Sequence, residues 1–254
     1  MTSTNKTYIV LSVALSALLA CQSPKQEAPA DSDPVAEVSQ EPDVNSLTEE
    51  QKAQGWKLLF DGQTTNGWKM YQGKETDSWE VVDGTLHCKP FETSTKRADI
   101  MTVEHYENFE LTFDWKISFQ GNSGVMFRVT EEFVEPYKTG PEYQVIDDEG
   151  YPGDLKDTQL TGGSYDMYVP SNPKVNPIGE WNSSRLIANG NHVEHWLNGS
   201  KVVEYEINSD DWKKRKDGSK WKEDASYGIV PKGHIDLQDH KNEVWFRNIM
   251  IRPL

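Results

Sequence analysis

Residues 109–117, FELTFDWKI, alternate Phe109, Leu111, Phe113, Trp115 and Ile117 with Glu110, Thr112, Asp114 and Lys116. A period of two over nine residues puts five large apolar side chains on one face of an extended strand. That face must be covered by a second layer. Shorter segments of the same kind recur along the chain: SWEVV, TLHC, SGVMFRV, EYQVID, SRLIAN, HVEHWL, KVVEYEI, GHIDLQDH and EVWFRNIMI. The dipeptides Asp61-Gly62, Asp83-Gly84, Asn189-Gly190 and Asn198-Gly199 fall between or before such segments, where tight turns need them. No long stretch shows a helical period. One short helix is expected at NSDDWKKRKDG, capped by Ser209 or Asp210. Many short strands joined by turns predict a β-sandwich or barrel.

The strands begin after residue 50. Residues 1–21, MTSTNKTYIVLSVALSALLAC, have Lys6 in a polar head and an apolar run from Tyr8 to Ala20. That run is short for a membrane span and reads as a signal peptide. LLAC at 18–21 resembles the bacterial lipobox, so Cys21 is expected to carry lipid and to tether the protein to the cell envelope, facing the periplasm or the cell surface. Residues 22–50 hold eight acids, one lysine and no aromatic residue. Such a segment cannot bury enough apolar surface to fold and is expected to be a disordered tether. That leaves 51–254 as the folded domain. All nine tryptophans lie beyond residue 50, enough for a core without disulfides. With Cys21 lipidated, Cys88 has no partner. A net charge of −15 argues against nucleic acid and anionic membrane surfaces, so the lipid would be the only membrane contact.

Alternation also assigns faces. In SGVMFRV, Met126 and Arg128 oppose Val125, Phe127 and Val129. In EYQVID, Glu142 and Gln144 oppose Tyr143 and Val145. In GHIDLQDH, Asp236, Gln238 and His240 share a face. If these strands are neighbours, one sheet face carries Arg128, Glu142, Gln144, Asp236, Gln238 and His240. That face has too many hydrogen-bonding groups for a core and suits a polyhydroxylated ligand. His195 shares its face with Val193 and Leu197, which reads as a hydrogen-bonded core histidine, with a site role as the alternative. Trp196 is either a stacking platform for a sugar or one more core tryptophan. Lys213–Lys222 reads as a solvated basic loop. Metalloprotease, redox, nucleophile-elbow, P-loop and dinucleotide motifs are absent. The acids of Asp147–Asp154 lack EF-hand spacing, and no cofactor is expected. A calcium ion in that loop, or another divalent ion on His240, Asp236 and Glu142, is the alternative.

In order along the chain, GWKLLFDGQTTNGW, GNSGVMFR, EYQVIDD, GGSYDMY, GEWNSSRLIANGNHVEHWLNG and GHIDLQDHKNEVWFRNIMIR resemble the motifs of the 3-keto-disaccharide hydrolase domain family. The resemblance spans about residues 54–252. It implies a concanavalin A-like jelly roll, two curved antiparallel sheets with a concave ligand face. It also implies cleavage of glycosides whose sugar ring is oxidised at carbon 3. Chemistry allows a route through C2 proton abstraction, elimination at C1 and hydration, without the paired carboxylates of ordinary glycosidases. On that route Glu142 and His240 are the candidate base and acid, in either order. Arg128 would stabilise the enolate oxygen. Asn122, Gln144, Asp236, Gln238, Tyr165, His195 and Trp196 are the candidate substrate-binding residues. The competing reading is a carbohydrate-binding lipoprotein without catalysis, and a third is a structural surface domain. The acids and bases gathered on one face favour catalysis.

Overall fold

The computed structural model describes residues 43–254. The signal segment, the lipobox with Cys21 and residues 22–42 of the expected tether lie outside them. The rest of that tether is folded. Thr48 caps a short helix, α1 (Glu49–Ala53), with Gln51 completing a capping box. The Asn45 and Asn248 side chains each accept the other's backbone N–H, and Asn45 Nδ2 donates to the Gly84 carbonyl at 2.7 Å. The folded unit thus starts at least eight residues before the expected boundary. Few apolar residues are needed there, because hydrogen bonds to Asn248 and Gly84 hold the segment.

Thirteen strands form two antiparallel sheets. They are β1 (Lys57–Leu58), β2 (Trp68–Met70), β3 (Trp79–Val82), β4 (Thr85–Cys88), β5 (Ile100–Thr102), β6 (Phe109–Ile117) and β7 (Asn122–Val129). The series continues with β8 (Glu142–Ile146), β9 (Asn182–Asn189), β10 (His192–Leu197), β11 (Ser200–Glu206), β12 (His234–Leu237) and β13 (Val244–Pro253). One sheet runs β11-β10-β9-β6-β13-β4-β3, with β1 added beside β13. The other runs β2-β5-β12-β7-β8. The sandwich expected from strand periodicity is therefore present. Its core lies between the sheets: Phe109, Leu111, Phe113 and Trp115 of β6 meet Val125 and Phe127 of β7, Tyr143 and Val145 of β8, and Ile235 and Leu237 of β12. Each such side chain taken out of water contributes about 1.5–3 kcal/mol. The other expected helix, α2 (Asp210–Asp217), is present with Ser209 as its cap, accepting from Trp212 N at 3.1 Å. Cys88 is a buried free thiol.

A bulge alters the face pattern of β7. Val129 pairs with His234 and Met126 with Asp236, so Phe127 and Arg128 together oppose the single residue Ile235. Arg128 adopts φ +59°. The extra residue turns Val129 to the outer face, where it packs with Met101, Met126 and Tyr71. It turns Arg128 away from that face.

Candidate functional site

The outer face of the five-stranded sheet carries the polar side chains that strand alternation places there. Asp236 pairs with Met126, and Met126 pairs with Glu142, which puts two acids two strands apart in one row. In the next row the Gln238 N–H donates to the Gly124 carbonyl at 2.9 Å, and Gly124 pairs with Gln144. Asn122 pairs with Ile146 beyond them. Gly124 is required here: a Cβ at that position would collide with the Glu142 carboxylate, which lies across it.

This floor is buried, and much of it is unpaired. Asp236 and Gln144 are 0 % exposed and Glu142 is 3 % exposed. Both carboxylate oxygens of Asp236, Asn122 Oδ1, Gln144 Nε2 and Gln238 Oε1 have no partner among the described residues. Buried polar atoms almost always find partners, so a cluster of unpaired ones on a single face marks a ligand surface. Burial drives the acids toward their neutral forms. The Glu142 carboxyl is pushed up to about 8, mainly by burial and further by Asp99, with Lys220 pulling the other way. Asp236 is raised well above the carboxylate range by burial, then by Asp99 and Glu142. Asp99 is raised to about 7, mainly by burial.

Loops build the walls. Tyr137, Tyr165, Lys220 and His240 close around Asn122, Glu142 and Gln238 to leave a narrow chamber of about 90 Å³. A wider chamber of about 340 Å³ shares Tyr137, Gln238 and His240 with it and reaches to Lys74, Arg97 and Asp99. Lys220 Nζ lies 4.2 Å from the ring centroids of both Tyr165 and Trp221. Its backbone N–H donates to Asp166 at 2.8 Å, and Trp221 Nε1 donates to the Tyr165 carbonyl at 3.1 Å. His240 and Lys220 show much of their surface to solvent while their polar ends are crowded by the walls. Burial lowers the pKa of Lys220. Burial also lowers that of His240, helped by Lys220 and Lys241, so the imidazole is neutral near pH 7.

Glu142, His240, Asn122, Gln144, Asp236, Gln238 and Tyr165 therefore stand together as the sequence suggested. Three candidates do not. Arg128 is 3 % exposed and donates to the backbone carbonyls of Gly228, at 3.0 Å, and Gly190. The bulge carries it into the space between the sheets, so it cannot meet an enolate over Glu142. His195 is 0 % exposed, donates from Nδ1 to the Gly162 carbonyl at 3.0 Å and packs against Tyr143. Burial lowers its pKa to about 4, and it is a core histidine. Trp196 lies on the outer face of the other sheet, under Arg185 and bonded to Glu194 at 2.6 Å.

Sequence reasoning missed Lys220, Asp99 and Tyr137. Lys220 was absorbed into the basic run Lys213–Lys222, and its one local mark is the adjacent Trp221. The acids of the Asp147–Asp154 loop serve turns: Asp147 accepts from Gln120 N and Gly150 N, and Asp148 from Thr161 N. Asp147, Asp148 and Glu149 border a separate cavity of about 550 Å³, against Pro173–Ile178. Among the described residues, His192, Glu194 and Glu204 are the one group whose ligand atoms converge as a metal site would need. That group lies on the other sheet, with Lys201 already paired to both glutamates.

Three comparisons bear on the chain as a whole. Residues 55–252 match the family model of the 3-keto-alpha-glucoside-1,2-lyase-like domain. A 3-keto-disaccharide hydrolase of Bacteroides thetaiotaomicron is 33% identical over 246 residues, covering 84% of this chain and 83% of that protein. A putative glycosyl hydrolase of Parabacteroides distasonis, solved as a crystal structure, is 44% identical with a TM-score of 0.77, over 83% of this chain and 99% of that one. A second crystal structure described in the same words, from the same species, is 30% identical with a TM-score of 0.61, over 78% and 99%.

Proposed function

Since the chain belongs to the 3-keto-alpha-glucoside-1,2-lyase-like domain family, we propose that it is a carbohydrate-active hydrolase that cleaves 3-keto-glycosides in the groove lined by Glu142 and His240. The observation that carries this reading is the buried floor of unpaired polar atoms on which Glu142 stands beside Lys220 and His240, with burial pushing the Glu142 carboxyl up to about 8. Groups whose surroundings drive their pKa values apart identify the acid and the base. Here the protonated group is Glu142 and the unprotonated one is His240.

A ketone at C3 acidifies the hydrogen on C2. His240 takes that proton, and the electron pair moves onto the C3 oxygen as an enolate. The Glu142 carboxyl and Lys220 ammonium hydrogen-bond that oxygen in place of Arg128. The enolate then reforms the ketone as C1=C2 forms and the C1–O bond breaks. The departing oxygen takes the proton back from His240. Water adds across C1=C2, hydroxyl to C1 and hydrogen to C2. The net change is hydrolysis, and every group of the enzyme is restored. Asn122, Gln144, Asp236 and Gln238 offer hydrogen bonds to the hydroxyls of the ring, and Tyr165 offers a wall.

The purified protein should release sugar from a 3-keto-disaccharide and none from the matched unoxidised disaccharide. Equal cleavage of both would end the elimination route. Saturable glycan binding without any cleavage would favour the non-catalytic binding module. Anchoring through Cys21 at the cell envelope belongs to the same proposal. Cys21→Ala should shift the protein from the membrane fraction to the soluble fraction, and an unchanged distribution would refute the anchor.

A further inference from the structure

The proposed base, His240, stands on a loop. β12 ends at Leu237, three residues before it. Proton abstraction needs the imidazole within hydrogen-bonding reach of the C2 hydrogen, and a misplacement of about 1 Å can cost 10²-fold in rate. Something other than the strand ladder must hold this residue. The backbone on either side of it is fixed at four points. The Gln238 N–H donates to the Gly124 carbonyl at 2.9 Å, and the Asp239 N–H to Asp99 Oδ1 at 2.8 Å. Beyond His240, the Lys241 N–H donates to Asp239 Oδ1 at 3.0 Å, and the Lys241 carbonyl accepts from the Phe91 N–H at 3.0 Å. Lys241 has φ +72°, in the left-handed region that a lysine seldom adopts. The Asp239 side chain therefore reaches across His240 and closes a strained turn directly behind it.

Arg97 holds Asp239 in turn. Its Nε and Nη2 both reach Asp239 Oδ1, at 2.8 and 2.7 Å. The same guanidinium donates to the Lys89 carbonyl at 2.6 Å and to the Pro90 carbonyl at 3.3 Å. Lys89 and Pro90 follow β4 of the eight-stranded sheet, whereas Asp239 follows β12 of the five-stranded one. One planar fork thus clamps the His240 loop to the opposite sheet. The Asp239 side chain is 1 % exposed and that of Arg97 11 %. A buried ion pair gives little stability beyond what apolar side chains of the same volume would give, because desolvation offsets most of the attraction. What it adds is direction, since a guanidinium meets several acceptors at once in one orientation.

We propose that Arg97 and Asp239 are positioning residues, which act through His240 by fixing its imidazole against C2 of the substrate. The proposal rests on the hydrolase reading for the role of His240, but the clamp can also be read without turnover. Arg97→Lys keeps the positive charge and loses the fork, so a change at His240 reports its placement and not a lost charge. For a 3-keto-disaccharide, kcat should fall about 10–100-fold in Arg97→Lys while KM changes by less than about threefold. Asp239→Asn keeps an oxygen for the Lys241 N–H and should lose less in kcat than Arg97→Lys, again with little change in KM. The second measurement is the NMR titration of the His240 ring, assigned with His240→Ala. Burial holds this pKa below the ordinary 6.5. In Arg97→Lys the released ring should reach water and titrate closer to 6.5, and the acid limb of kcat/KM should move with it. If Arg97→Lys does not fold, Asp239→Asn carries both measurements. Unchanged kcat, a loss carried by KM alone, or a His240 titration equal to that of the wild type would overturn the proposal, and a lower Tm with unmoved titration would show that the pair serves stability alone. If the wild type cleaves no keto substrate, the hydrolase reading ends, and the His240 titration by itself decides whether the clamp holds the ring.

Discussion

Glu142→Gln tests the site without a substrate. The amide keeps the shape of the side chain and removes its titration. In the folded protein burial holds the carboxyl up to about 8, against an ordinary value of 4.5. The unfolded chain ionises it near the ordinary value. Between these limits the folded state binds a proton that the unfolded state has released, so stability must fall as pH rises. The contribution is fully present below about pH 4.5 and gone above about pH 8. At pH 7, two and a half pH units above the unfolded value, the loss amounts to roughly 3 kcal/mol, at 1.36 kcal/mol per unit. Glu142→Gln escapes that loss. Its stability gain should be small at pH 5 and grow to about 3 kcal/mol at pH 7. For a domain of 150–250 residues, at about 2–4 °C per kcal/mol, that raises Tm by roughly 6–12 °C. Asp99 and Asp236 also titrate upward in both proteins, and the share of the Asp236 shift that comes from Glu142 disappears in the variant and adds to its gain at higher pH. Thermal melts followed by circular dichroism at pH 5, 6, 7 and 8 measure the gain directly. A Tm difference that stays flat over that range, or a variant that becomes less stable as pH rises, would refute the buried neutral carboxyl. Turnover by the same variant should fall by about 10²-fold, because an amide is the poorer donor to an enolate oxygen.

Three further outcomes follow from the geometry. The profile of kcat/KM against pH should show a plateau, with an acid limb below 6.5 where His240 gains its proton and an alkaline limb near 8 where Glu142 loses its own; Glu142→Gln should remove the alkaline limb, and a limb that persists in that variant belongs to another group. Gly124→Ala should abolish turnover while leaving a folded protein by circular dichroism, because the new methyl displaces the Glu142 carboxylate; activity within threefold of wild type would show that the carboxylate can move aside. Arg128→Met should cost about 3 kcal/mol, read from the denaturant midpoint, through its lost hydrogen bonds to Gly190 and Gly228; kcat should stay within about twofold, and a selective loss of kcat would return Arg128 to the chemistry.

The strand pattern was legible because it is local. Side chains that alternate about a sheet must show a period of two, so the faces of Phe109–Ile117, Glu142–Ile146 and His234–Leu237 could be assigned before any contact was known. The helix after Ser209 was legible for the same reason, since its cap lies within three residues of its start. Arg128 was misplaced because one inserted residue reverses every later face, and a bulge exists only in the pairing of β7 with β12. Residues 43–50 have a tether's composition yet join the fold, because hydrogen bonds from Asn45 to residues 39 and 203 positions away leave no mark on local composition.

The sequence by itself determined the two-layer β architecture, the acid-rich face of the second sheet and the candidate pair Glu142 and His240. The tertiary structure alone decided which cation faces that pair and where the groove leads. Lys220, Asp99 and Tyr137 come from loops far apart in the chain and meet only when the strands are packed. The neutral state of Glu142 is likewise a property of burial and of neighbours such as Asp99, which no stretch of sequence around position 142 carries.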